Sequence, residues 1–174
     1  MTKTLEERIR RLEDIQDIIT LKSRYLNTAD GGWDRLSHNG DATAELLTED
    51  CVWDGQAYNA AHGREAVRQA FRQFRENLPF AYHVITNPII AVDGDTARGE
   101  WHLQWMGTDA AGTEMHAAGI YTDDLVRTGD GWKFKRIFVR LVFFGPRSDG
   151  WVNSMGLAQA QSDEAKAARA AENA

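Results

Sequence analysis

Apolar residues recur at helical spacing near the start of the chain. Leu12, Ile15 and Ile19 follow at steps of three and four, with Ile18, Leu21 and Tyr25 alongside. Arg8, Arg11, Glu13, Asp14, Asp17, Lys22 and Arg24 fill the other positions. The pattern predicts an amphipathic helix over Leu5–Ala29 with those charges facing solvent. Gly31 and Gly32 then stop it through a left-handed turn, which puts Asp30 at its last turn, aimed inward. A second stripe, Val67, Ala70, Phe71 and Phe74, opens after Gly63 and is over by Pro79. Between the two, residues 33–40 and 55–61 read as loops and Asp41 as the N-cap of a short helix through Leu47. Cys51-Val52-Trp53-Asp54 begins a strand.

From Ala81 the period changes to the alternation of strands. Four are predicted, over residues 82–92, 96–106, 113–127 and 132–144. Turn residues separate them at Asp93-Gly94, Asp109 to Gly112 and Thr128 to Gly131. Strict alternation puts His83 on one face with Ala81, Ile85 and Asn87. On the last strand it groups Trp132, Phe134, Arg136, Phe138, Arg140 and Val142. Consecutive hairpins make a meander, and helices that precede it must cover one of its faces. The fold class is α+β: about five strands in a curved antiparallel sheet wrapped around N-terminal helices, a cone or α+β barrel open at one end. Residues 1–146 form this domain, and 147–174 are a C-terminal extension, alanine-rich and charged, partly helical or disordered. Trp151, Val152, Met155 and Leu157 read as a cap on the pocket or a docking patch.

Composition narrows the class. The 174 residues fit one domain with a real core. A net charge of −6 without a basic stripe argues against a nucleic-acid partner. One cysteine, Cys51, excludes an internal disulfide and a cysteine-based zinc site, and no histidine spacing matches a metal motif. No apolar run reaches the roughly 18 residues of a membrane span, and the charged N-terminus lacks a signal-peptide core. A cytoplasmic protein is expected. Six tryptophans and seven phenylalanines suit a pocket for a flat or hydrophobic ligand.

Several segments carry a further signal by their order. They are Ile15-Gln-Asp-Ile followed by Tyr25 and Asp30, the stretch 46–54, Gly63 to Val67, His83 within 81–87, and 117–124 leading into 131–136. Together they resemble the SnoaL-like branch of the NTF2-like superfamily, over about residues 10–145. That family includes scytalone dehydratase, hexachlorocyclohexane dehydrochlorinase and bile-acid 7α-dehydratase. The resemblance implies a cofactor-free lyase built on an Asp–His dyad, with Asp30 as acid, His83 as base, and Tyr25 at a tyrosine five residues before the acid. It places the pocket arginine at Arg136 or Arg140. It also implies a homo-oligomer, a trimer favoured over a dimer.

Taken as chemistry, imidazole titrates near neutral pH, so His83 suits proton abstraction, and Asp30 would set its tautomer and stabilise the imidazolium. Tyr25 suits donation to a developing oxygen, and Arg136 or Arg140 the binding of an anion or enolate. Trp53, Tyr121 and Phe138 are expected to contact substrate. His102 and His116 are further candidates, while His38 and His62 are expected in solvent. The expected function is a dehydratase-type elimination, or loss of halide or formaldehyde, on a small aromatic or polycyclic substrate. The alternatives are a non-catalytic ligand-binding or assembly module, a ketosteroid-isomerase-type double-bond isomerase, and the small subunit of a ring-hydroxylating dioxygenase.

Overall fold

The computed structural model describes residues 4–34, 38–56 and 60–154. Its first helix, α1 (Leu5–Ala29), opens with a capping box. The Thr4 hydroxyl accepts from Glu7 N–H at 3.2 Å, and the Glu7 carboxylate accepts from Thr4 N–H at 2.7 Å. Residues 5–13 are exposed throughout, so Leu12 is not on the buried stripe. The buried face starts at Asp14 and continues through Ile18, Leu21, Lys22, Tyr25, Leu26 and Ala29. Two charges expected in solvent, Asp14 and Lys22, are therefore inside. Each finds a partner far away in sequence: Arg127 and Trp132 for Asp14, Asp123 for Lys22.

The helix does not stop in a left-handed turn at Gly31. Asp30 is already extended (φ −77°, ψ 156°), and Gly31 pairs with Ala81 through backbone bonds of 2.9 and 3.2 Å. Gly32 has the positive φ, 81°, and a Cβ there would fall 2.1 Å from the Pro79 carbonyl oxygen. Close approach to the strand, more than chain reversal, requires glycine here. The short helix α2 (Gly40–Glu45) is capped by Asn39 rather than Asp41, and Asp41 instead pairs with Arg72 and Arg68. Helix α3 (Arg64–Asn77) buries Val67 and Phe71, with Ala70 and Phe74 packed beside them.

Six strands form one curved, unclosed sheet: β1 (Leu47–Asp54), β2 (Ala61–His62), β3 (Phe80–Asp93), β4 (Thr96–Thr108), β5 (Glu114–Thr128) and β6 (Gly131–Pro146). The order is β2-β1-β6-β5-β4-β3. Strands β3 to β6 are the expected antiparallel meander, while β1 joins the far side of β6 in parallel and β2 adds a two-residue edge. Inward positions on β4 follow strict alternation: Ala97, Trp101, Leu103 and Trp105 are buried.

Four register shifts break that alternation elsewhere, one of them between Leu47 and Val52 where β1 meets β6. Thr86 faces His102 and Ile89 faces Glu100, so Asn87 and Pro88 oppose one residue, with Asn87 at φ 55°. On β6, Leu125 pairs with Phe134 but Asp124 pairs with Arg136, which makes Lys135 the extra residue. Val142 is extra between Leu141 and Phe143. A single inserted residue reverses the facing of everything after it. Trp132 and Phe134 point inward, then Ile137, Val139 and Leu141; Arg136 and Arg140 fall on the other face. After β6 a 3₁₀ turn (Arg147–Asp149) leads to Trp151 and Val152, both exposed. Met155, Leu157 and the rest of the tail lie outside the described residues, as do residues 35–37 and 57–59 of the expected loops. Among the described residues no helix is long and apolar enough to cross a membrane.

Candidate active site

Asp30 and His83 meet where the end of α1 is stitched to the start of β3. The Gly31–Ala81 bridge fixes the spacing, and one carboxylate oxygen, Asp30 Oδ1, accepts two bonds from the same residue. The His83 backbone N–H donates at 3.0 Å, and ring Nδ1 lies at 2.6 Å. Trp33 strengthens the stitch by donating its indole N–H to the Ala81 carbonyl at 2.9 Å. A carboxylate only accepts, so Nδ1 carries the proton of this bond, and in the neutral ring the lone pair is then on Nε2. Asp30 is 3% exposed; it sits behind His83, away from the cavity wall.

His83 lines a cavity of about 80 Å³ enclosed by α1, α3 and the inner face of the sheet. Its wall is mostly apolar: Ala29, Phe71, Phe74, Leu103, Val139 and Phe144 are typical. The polar groups on it are few: Tyr25, Tyr121, the Trp53 and Trp105 indoles, His38 and His83. No Arg, Lys, Asp or Glu among the described residues is part of that wall.

Tyr25 is buried against Phe71, Tyr121 and Phe134, and burial pushes its hydroxyl well above the ordinary tyrosine range. The Trp53 indole N–H donates to Tyr25 Oη at 2.8 Å. The Tyr121 ring packs edge-on against that of Tyr25, centroids 6.4 Å apart. A phenol accepts at most two bonds and donates one. Tyr25 accepts from Trp53 and retains its own proton to give.

Of the residues singled out by sequence, the structure brings Tyr25, Trp53, His83 and Tyr121 to one wall, with Asp30 behind. It does not bring the others. Arg136 and Phe138 lie on the outer face, the guanidinium 4.8 Å from the Phe138 ring, and Arg140 is exposed on the same face. The Lys135 bulge accounts for all three. His102 is exposed on the outer face of β4, taking a 3.1 Å bond from the Asn87 amide. His116 is half-buried beside Phe143 and 3.4 Å from the Ser154 hydroxyl, also off the cavity. His62 is exposed.

His38, in contrast, is buried and lines the cavity. Its Nδ1 lies 2.5 Å from the Ala29 carbonyl oxygen and Nε2 2.8 Å from that of Leu78, tying the end of α1 to the end of α3. Its position in a polar loop tip gave no sign of this; the two carbonyls come from segments 9 and 40 residues away. Below the cavity floor lies a second surprise. Lys22 Nζ donates to Asp123 Oδ2 at 2.7 Å, both side chains fully buried. Burial lowers Lys22 to about 8 and raises Asp123 to about 6, each against the pull of the other. Among the described residues no cluster of three or more metal-ligating side chains forms.

Comparison with known proteins follows this geometry. No curated protein matches the chain in sequence. Solved structures do match. One from Novosphingobium aromaticivorans, provisionally assigned as an aromatic ring hydroxylase, is 27% identical (TM-score 0.70, covering 78% of this chain and 94% of the other). A second from the same organism, provisionally assigned as a scytalone dehydratase, is 21% identical (TM-score 0.69; 78% and 89%). A hexachlorocyclohexane dehydrochlorinase is 20% identical (TM-score 0.68; 82% and 93%). An NTF2-like protein with a cystatin-like fold from Novosphingobium aromaticivorans is 27% identical (TM-score 0.61; 88% and 94%), and the chain shares that fold. The profile of the SnoaL-like domain matches residues 10–137, most of the chain, and on that match this protein belongs to the SnoaL-like family.

Proposed function

We propose that this protein is a cofactor-independent lyase that eliminates water from a small aromatic or polycyclic substrate. The observation that carries the reading is the 2.6 Å Asp30–His83 contact at the wall of an apolar cavity. His83 Nε2 takes the proton from the carbon next to a carbonyl. The electron pair forms the C=C bond and expels the β-hydroxyl, which takes the Tyr25 proton and leaves as water. Proton return from His83 to Tyr25 through that water restores the site. Asp30 holds the ring tautomer and offsets the imidazolium charge. Tyr25 takes the place that the family resemblance gave to an arginine, since Arg136 and Arg140 face away. Loss of halide or formaldehyde would use the same groups, and a double-bond isomerase would return the proton to another carbon.

The test is a panel of aromatic β-hydroxy ketones, without added cofactor, followed by the ultraviolet absorbance of the conjugated enone. Turnover by the wild type and its loss in His83→Ala support the reading. Turnover that survives His83→Ala within a few-fold ends it.

The second reading is a ligand-binding or assembly module whose cavity is filled by rings; about 80 Å³ remains between the aromatic walls here. Ligand recovered chemically unchanged after saturating binding would favour that module. The homotrimer expected from sequence remains part of the proposal, and sedimentation equilibrium of the full chain checks it.

A further inference from the structure

We propose that the buried Lys22–Asp123 pair is a positioning device for the two phenols of the cavity floor, Tyr121 and through it Tyr25. The inference rests on Tyr25 being the cavity's proton donor, and goes beyond it by naming what aims that donor.

The geometry begins with the ammonium. Lys22 has three N–H donors, and one goes to Asp123 Oδ2 at 2.7 Å. The rest of its surroundings are ring faces. Nζ lies 3.3 Å from the Tyr121 centroid, 4.9 Å from Tyr25, 5.1 Å from Trp101 and 5.5 Å from Phe134. A desolvated cation over a ring face is held by the ring quadrupole, and the contact with Tyr121 is by far the shortest. That contact fixes the plane of the Tyr121 ring. The Tyr121 ring in turn stands edge-on to the Tyr25 ring, centroids 6.4 Å apart.

Tyr25 is thus held from two sides, its ring by Tyr121 and the ammonium and its Oη by the Trp53 indole N–H at 2.8 Å. Both phenols line the cavity while Lys22, Asp123, Trp101 and Phe134 do not. The pair therefore lies beneath the site and acts on it through Tyr121, without touching a ligand.

Stability alone does not account for the pair. Taking both charges out of water opposes their mutual attraction, and burial pushes each group toward its neutral form. Asp123 Oδ1 has no hydrogen-bond partner among the described residues. An apolar pair of similar volume would fill the same space without these penalties.

The readout is the Trp53 indole N–H signal in a ¹H–¹⁵N spectrum of the full-length protein, assigned by its loss in Trp53→Phe. Trp53 is hydrogen-bonded to Tyr25, whereas Trp101 borders the ammonium directly and serves as the control for local change. In the Lys22→Met/Asp123→Leu double variant, the Trp53 signal is expected to move toward its position in Tyr25→Phe, where the acceptor is gone. An unmoved Trp53 signal in the folded double variant, with Trp101 shifted, overturns the proposal. If that variant does not fold, the neutral polar pair Lys22→Gln/Asp123→Asn is read by the same criterion. No substrate enters this experiment. Retained turnover in His83→Ala would end the lyase reading while leaving the Trp53 result standing, and an unmoved Trp53 would end the positioning role while leaving the lyase intact.

Discussion

Asp30–His83 and Lys22–Asp123 are the same device built twice on one helix. Each joins a charge on α1 or at its C-cap to a strand, and the two positions, Lys22 and Asp30, are eight apart in sequence. They differ in what lies beside them. His83 keeps 14% of its side chain exposed and lines the cavity, so its free nitrogen can exchange a proton with a ligand. Lys22 and Asp123 are 0% exposed and sealed by rings, so they can only orient what surrounds them. Buried charge is therefore not in itself a mark of catalysis; access to a reacting atom decides it.

The largest effect expected from breaking this contrast is on turnover. His83→Ala should lower kcat by roughly 10²–10⁴-fold with little change in KM, as for loss of a general base, measured by steady-state kinetics on an enone-forming substrate. Asp30→Asn should act in the same direction. The sealed pair should respond in stability instead. Lys22→Met or Asp123→Leu alone leaves an uncompensated buried charge and should destabilise by about 3–5 kcal/mol in urea unfolding, whereas the double variant should match or exceed the wild type. Equal destabilisation in the double variant would mean that the pair is a net stabiliser.

A pH series sharpens the same point. Asp123 is raised from 3.8 to about 6, so its contribution to stability is complete below 3.8 and lost as pH rises through 6. Lys22 is lowered from 10.5 to about 8, so its contribution is complete above 10.5 and lost as pH falls through 8. Both are missing between about 6 and 8. The stability advantage of the double variant over wild type should therefore peak in that window and shrink on either side, measured by unfolding at pH 4 to 10.5. The smallest effect belongs to the outer face. Arg136→Ala and Arg140→Ala should each leave kcat within about twofold, as for surface positions away from the site. A large loss in either would place an arginine in the reaction after all.

Much of the site was legible in sequence because it depends on local signals. Asp30 stands out as an acid at a helix end before two glycines, and His83 as an imidazole on an otherwise apolar strand face. The four long strands were visible through alternation and turn residues, and Tyr25, Trp53 and Tyr121 reach the cavity as expected. Arg136, Phe138 and Arg140 were misplaced because alternation assumes an unbroken register, and nothing in Lys135 announces that it will be skipped. His102 and His116 were drawn in by residue type alone.

The sequence by itself determined that α1 is a helix and that a meander follows, and it marked Asp30 and His83 as candidates, since each follows from a period or from chemistry carried by single residues. The tertiary structure alone decided which charges are buried. Lys22 meets Asp123 across 101 residues, and His38 meets the Leu78 carbonyl across 40. Desolvation is set by neighbours in space, and a lysine or histidine read in isolation is taken as solvated. The bulges belong to the same class, because they arise from pairing between strands and not from either strand alone.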